Sequence, residues 1–428
     1  MRREGARQRR SALDAAELLQ RALALQSRLA LKWGEALQAA GSEFSARPAA
    51  QVDAADPLAA YDEWVECAER AYARQARSAE FCSLQAELFN TLFAVRAANH
   101  ASPSAETQTA GCSLREPVWR RGKAVLYRYL PLPFALRTHP RPLLICYAQI
   151  NRPYVLDLEP QRSLIRRLNA AGFIVYLIDW GYPDEADRNT ALADYLARGL
   201  GGAVAHVLAA ERVPALDLLG VCQGGTLSLC YTALHPRQIA NLVLMVAPVD
   251  FQTSGDLLSQ WVRGLDTELI RRAGNVPGAA LNAAFLALAP FRLLQQKYVH
   301  LVSSHPSPAE LERFVRLESW IGDSPDQPAT AFAQYLRCFY QENRLLLGTL
   351  TLGTRRVRLE HVRQPILNIY GTQDRIVPPE ASAALRDRTR SRDYQELAIE
   401  TGHIGMYVSR RAGLEVPQRI SAWLAERA

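Results

Sequence analysis

The chain has 428 residues, of which 49% are hydrophobic and 22% charged, with a formal net charge of +7; that is enough for one large domain and one small one. No run reaches the ~18 consecutive apolar residues of a membrane-spanning helix. The seven cysteines are odd in number and lack zinc-ligand spacing, which fits reduced thiols in a cytoplasmic protein rather than a disulfide scaffold.

The N-terminus, Met1 to Arg10, is basic, and an amphipathic pattern follows it rather than the apolar core of a signal peptide. Ser11 to Trp33 contains no Gly or Pro and is rich in Leu and Ala, so it reads as helix. Asp56-Pro57 has the form of an N-cap followed by a first helical position. After it Tyr61, Trp64, Val65, Ala68 and Tyr72 recur with helical spacing. A further helix is predicted from about Ala79 to Arg96, with Phe81, Leu84, Leu88, Leu92 and Val95 on one face. These aromatic and aliphatic stripes read as helix-packing core. Ala97 to Ser113 is polar and aperiodic, the pattern of a linker.

Val118 to Tyr129 reads as a β-hairpin, and apolar runs at about 143–148, 173–179, 215–219, 241–247, 365–370 and 394–399 read as strands alternating with helices. That alternation predicts an α/β fold, a mostly parallel sheet with helices on both faces. The stretch from Asp250 to about Val357 contains no convincing strand and is helical in pattern, as a lid insertion would be. The expected division is a helical N-terminal domain over 1–96, a linker over 97–114, and an α/β domain over 115–428 with a lid at about 251–357.

Gly220-Val221-Cys222-Gln223-Gly224-Gly225 lies between the strand ending at Leu219 and an uninterrupted helical run up to Leu234. Strand, tight Gly-x-Cys-x-Gly turn and helix together form a nucleophile elbow. Side chains at Gly220 or Gly224 would collide with the neighbouring strand and helix, and the central residue sits in strained backbone. The helix N-terminus favours thiolate over thiol at Cys222. A buried cysteine on an ordinary βα turn is the bland alternative.

An acid and then a histidine should follow. Asp374 lies in the polar loop Thr372 to Pro379, after the strand ending near Tyr370, and His403 lies in Thr401-Gly402-His403-Ile404-Gly405, after the strand ending at Ile399. Asp374 could instead cap the helix beginning near Pro378, and His403 is one of eight histidines. His235 precedes Pro236 at a helix end and His206 falls within a helix. His100, His139, His300, His305 and His361 have no comparable setting after a strand. Taken together, Cys222, Asp374 and His403 read as nucleophile, acid and base, His403 taking the Cys222 proton and Asp374 orienting the imidazole. The oxyanion hole needs two N–H donors: the backbone of Gln223, and either Ile150 or Asn151 in the loop after the strand Leu143 to Ala148.

Several separated motifs resemble one family. Ile150-Asn151-Arg152-Pro153-Tyr154, Tyr176 to Asp184, the Cys222 elbow, Pro248-Val249-Asp250-Phe251 and Gly402-His403-Ile404-Gly405 are similar to the catalytic subunit of class III polyhydroxyalkanoate synthases, over roughly residues 115 to 427. The resemblance implies an α/β-hydrolase fold and a cysteine that carries a growing polyester as a thioester, with Asp374 and His403 completing the triad. It implies (R)-3-hydroxyacyl-CoA substrates, typically of short chain length, release of CoA at each addition, a granule-associated cytoplasmic setting and a homodimer. The segment Tyr61 to Tyr72, and more weakly residues 55 to 96, resembles the C-terminal helical part of the companion E subunit. A fusion of both parts would remove the need for a separate E subunit.

No cofactor beyond the CoA thioester, no metal cluster and no nucleic-acid signature is expected. The positive charge, largely arginine, is either a lure for CoA phosphates or a solvated surface. Two other functions remain compatible: a thioesterase, polyester depolymerase or dienelactone-hydrolase-like enzyme of the same fold, and a non-enzymatic granule-coating protein.

Overall fold

The structure, a computed structural model, describes residues 2–47, 56–99, 111–133 and 137–428. It divides into two compact units, Met1–Pro103 with Leu257–Val315, and Ser104–Asp256 with Arg316–Ala428.

The first unit is helical. Helices α1 (Arg2–Ser45), α2 (Pro57–Ala76) and α3 (Ala79–Asn99) cover the predicted stretches, with α1 running beyond the breaker-free Ser11–Trp33 segment at both ends, through Gly34 and Gly41. Asp56 caps α2 by accepting from the N–H groups of Leu58 and Ala59, so the Asp-Pro signal acts as expected. Val65, Ala68 and Tyr72 are buried on α2, as are Phe81, Leu84 and Leu88 on α3. Leu92, assigned to the same face, is 41% exposed: about one turn beyond Leu88, the stripe has rotated off the covered side.

Half of the anticipated lid belongs to this unit. The Tyr72 ring lies 4.7 Å from that of Trp33 and meets Phe291 edge-on, and Phe81 stacks on Trp261. Buried polar ends find partners in the same way: the Tyr72 hydroxyl donates to the Ala287 carbonyl at 2.8 Å, and the Trp261 indole N–H to that of Ala76 at 3.1 Å. The compact units therefore do not coincide with the expected 1–96, 97–114 and 115–428 division. Leu257–Val315 completes the aromatic core of the N-terminal helices, and the rest of the insertion stays with the catalytic unit. Residues 100–110 of the expected linker lie outside the described residues.

The second unit is built on a sheet. Its strands are β1 (Arg115–Arg121), β2 (Ala124–Tyr129), β3 (Leu143–Cys146), β4 (Val175–Asp179), β5 (Leu216–Val221) and β6 (Ile239–Met245). After the insertion and a short ribbon, β7 (Thr351–Leu352) with β8 (Arg355–Arg356), come β9 (Ile366–Gly371) and β10 (Tyr394–Ile399). The sheet runs β1-β2-β4-β3-β5-β6-β9-β10. The β1–β2 hairpin and the β2–β4 pair are antiparallel, and the remaining pairs are parallel.

Every residue of β3, β4 and β5 is buried, which is why these strands read as largely apolar runs, broken only by the buried Asp179 and Asp217: helices cover both faces. Alternate side chains feed separate cores. Leu144, Leu218 and Leu244 join a cluster with Val204 and Leu229, whereas Ile145, Leu219 and Val243 join Ile420 and Trp423 on the other face. The arrangement brings the ends of β5, β9 and β10 together, the edge where open α/β sheets carry their sites.

Candidate active site

The elbow has the geometry its glycines imply. Cys222 sits at φ 53°, ψ −126°, a conformation that costs of order 1–3 kcal/mol outside glycine. Its N–H donates to the Met245 carbonyl at 2.8 Å, which anchors the turn to β6. A Cβ at Gly220 would fall 2.5 Å from the Cα of Gly225, and one at Gly224 would press on the Cys146 carbonyl oxygen and the Tyr147 backbone. We expect Gly224→Ala to destabilise the fold by about 3 kcal/mol or more, because backbone rather than a flexible side chain must yield. Thermal denaturation tests this, and a transition unmoved from wild type would show slack in the turn. The helix behind the elbow starts at Gln223 and ends at Leu234, three residues earlier than the apolar run from Thr226 alone indicated. His235 caps its end, and His206 lies in the helix Gly201–Glu211.

Asp374 lies on the loop after β9 and His403 on the loop after β10, both as expected. The two loops are tied by the Gln373 N–H, which donates to the Thr401 carbonyl at 3.1 Å. Asp374, its side chain fully buried, divides its oxygens. Oδ1 accepts from the N–H groups of Ile376 and Val377, each at 2.9 Å, while Oδ2 lies 2.7 Å from His403 Nδ1. The carboxylate therefore braces its own loop and orients the histidine; it does not cap the following helix, Pro379–Ala383, whose N-cap is Pro378 with no side-chain bond. His403 is also close enough to Cys222 for the sulfur to act on its charge, so nucleophile, base and acid share one site.

Burial by itself would lower the His403 pKa, but the Asp374 carboxylate and the Cys222 sulfur outweigh it and raise the pKa to about 10. The imidazole is thus held charged at neutral pH. Four phenols lie within electrostatic reach of the same sulfur. Tyr147, Tyr335, Tyr340 and Tyr407 are each pushed well above the usual tyrosine value, chiefly by burial, with the Cys222 charge adding to it. They remain neutral O–H groups.

Sequence reasoning missed these tyrosines. The Tyr407 hydroxyl lies 3.3 Å from His403 Nε2, and its i+4 spacing from His403 was the available signal. Tyr335 packs with Phe251 and Phe339 in the part of the insertion that stays with this unit.

Gln223, first in the elbow helix, has no intrahelical acceptor for its N–H. Its side-chain oxygen accepts the Gln149 N–H at 3.0 Å, linking it to the loop that carries Ile150 and Asn151. Among the described residues, no group of three or more His, Cys, Asp or Glu is arranged to hold a metal ion. No helix among them is long and apolar enough to cross a membrane.

A cysteine on a nucleophile elbow, facing an Asp-bound histidine at the ends of a mostly parallel sheet, defines an α/β-hydrolase-fold enzyme, and the family description "alpha/beta hydrolase fold" matches residues 142–409. Residues 1–109 match the description "Poly(R)-hydroxyalkanoic acid synthase subunit", a longer stretch than the 55–96 resemblance. The chain is 48% identical over 325 residues to the poly(3-hydroxyalkanoate) polymerase subunit PhaC of Allochromatium vinosum, covering 76% of this chain and 92% of that one. It is 43% identical to the PhaC subunit of a Synechocystis strain, over 74% of this chain and 85% of that one. The chain belongs to the class III poly(3-hydroxyalkanoate) polymerase family and carries an E-subunit-like helical region at its N-terminal end.

Proposed function

We propose that this polymerase takes (R)-3-hydroxyacyl-CoA thioesters of short chain length, such as (R)-3-hydroxybutyryl-CoA, and carries the growing polyester as a thioester on Cys222. The observation that carries this reading is Cys222 on a strained elbow with His403, itself held by Asp374 at 2.7 Å, within electrostatic reach of the sulfur.

The thiolate of Cys222 attacks the acyl carbonyl, forming a carbon–sulfur bond and an oxyanion. The backbone N–H of Gln223 and that of Ile150 or Asn151 receive the oxyanion. Collapse breaks the bond to CoA, and the His403 imidazolium gives its proton to the departing CoA thiolate. Attacking and leaving groups are both sulfur, so the exchange is close to balanced. His403, now neutral, accepts the proton of a 3-hydroxyl group as its oxygen attacks a second acyl thioester. The carbon–sulfur bond of that thioester breaks, its thiolate leaves against the His403 imidazolium, which returns the proton, and the ester link of the polymer forms. No cofactor enters these steps. Phe251, Tyr335 and Phe339 pack on one another and are buried, with Tyr335 within electrostatic reach of Cys222, which supports exclusion of water that would otherwise hydrolyse the chain.

The E-like helices act in place of a separate E subunit, and the working form is a cytoplasmic homodimer at the surface of the polyester granule. The test is CoA release from (R)-3-hydroxybutyryl-CoA by the purified chain alone, with the acyl product sized. High-mass polyester is expected. Free 3-hydroxybutyrate would instead mark a thioesterase, and activity that requires an added E subunit would contradict the built-in replacement.

A further inference from the structure

The loop expected to supply the second oxyanion donor is gripped by the last part of the insertion. Near the end of the helix Pro308–Gly322, the Trp320 indole N–H donates to the Arg152 carbonyl at 2.7 Å. Asp323 then accepts from two phenols, Tyr154 to Oδ2 at 3.0 Å and Tyr182 to Oδ1 at 2.7 Å. The Asn151 side-chain amide donates to Ser324 Oγ at 3.1 Å, and the Gln327 amide to the Gln149 carbonyl at 3.0 Å. The Tyr182 ring also packs under the Arg152 guanidinium, which pairs with Asp179 at 2.8 Å.

Two features set this apart from ordinary packing. Four ties fall on four residues of one short loop, yet none uses the backbone N–H of Ile150 or Asn151. The loop is also bound on its other side to Gln223, the expected first donor, through the Gln149 N–H.

We propose that Asp323 is a positioning residue for the oxyanion hole: it clamps the Gln149–Tyr154 loop through Tyr154 and Tyr182, so that a loop amide meets the acyl carbonyl on Cys222. This rests on the reading of Cys222 as the acyl carrier. The carboxylate suits the task because two O–H donors need two acceptor oxygens on one rigid group. Loosening such a loop weakens the oxyanion contact in the transition state and leaves substrate binding largely alone.

The experiment compares two reactions of Cys222 in the full chain. Acyl transfer from (R)-3-hydroxybutyryl-CoA develops an oxyanion, whereas alkylation by iodoacetamide does not. Asp323→Ala, and separately the Tyr154→Phe/Tyr182→Phe double variant, should lower kcat for CoA release by about 10- to 100-fold with KM nearly unchanged. Alkylation of Cys222 should proceed at the wild-type rate in both. Unchanged kcat in both variants overturns the clamp, as does a parallel loss of alkylation, which would mean that the thiolate itself had been disturbed. If alkylating Cys222 in the wild-type chain leaves CoA release intact, the carrier reading has failed, and the clamp with it, by a result distinct from either of the others.

Discussion

Cys222→Ser is expected to lower CoA release from (R)-3-hydroxybutyryl-CoA by more than about 10³-fold while the thermal transition stays close to wild type. The two side chains differ by one atom, and oxygen is small enough for the space sulfur occupies, so the elbow keeps its shape. The chemistry does not survive the change. A hydroxyl is far less ionised than a thiol at neutral pH, and no thiolate–imidazolium pair forms with His403. The ester a serine would make is also a poorer donor to the next hydroxyl than a thioester. Turnover near wild type would remove Cys222 from the mechanism.

Asp374→Asn has the second largest expected effect, a loss of about 10²- to 10⁴-fold in kcat, by analogy with the acid of serine-protease triads. The loop should hold, because an amide oxygen can still accept from Ile376 and Val377. At His403 an N–H group would face Nδ1, forcing the proton onto Nε2 and blocking that nitrogen from taking a proton.

The pH profile separates this from simple misfolding. Burial lowers the His403 pKa and the Asp374 and Cys222 charges raise it, with the net result above the ordinary value. The imidazolium needed to protonate the leaving CoA therefore persists to high pH and is lost as pH rises through the raised value. Removing the carboxylate lowers that pKa, so the alkaline limb of kcat/KM must move to lower pH. A limb that stays in place, or moves upward, would show that Asp374 does not set the histidine charge.

Much of the site was legible because its chemistry demands special backbone. Backbone and side-chain atoms crowd the space a Cβ would need at Gly220 and Gly224, two residues either side of Cys222, and fully buried parallel strands leave largely apolar runs such as Leu143–Cys146 and Leu216–Val221. Asp374 and His403 were found because each sits in a loop directly after a predicted strand, although the strand before His403, Tyr394–Ile399, is partly polar and only partly buried. What stayed hidden depends on contacts between distant segments. Phe291 and Trp261 carry no mark saying that Trp33, Tyr72 and Phe81 will enclose them, so the insertion read as a single lid. Asp323 lies in an otherwise ordinary polar turn, and its partners Tyr154 and Tyr182 are well over a hundred residues away. Leu92 fits the helical period but ends exposed, since periodicity identifies a face without fixing how far along the helix it is covered.

The most direct test is to trap the covalent intermediate. The chain would be mixed with (R)-3-hydroxybutyryl-CoA, quenched in acid and digested, and the peptide containing Cys222 weighed. Hydroxybutyryl units attached to Cys222 and released by hydroxylamine are the predicted result; polymer accumulating while Cys222 stays unmodified, or units bound at another residue, would contradict the mechanism.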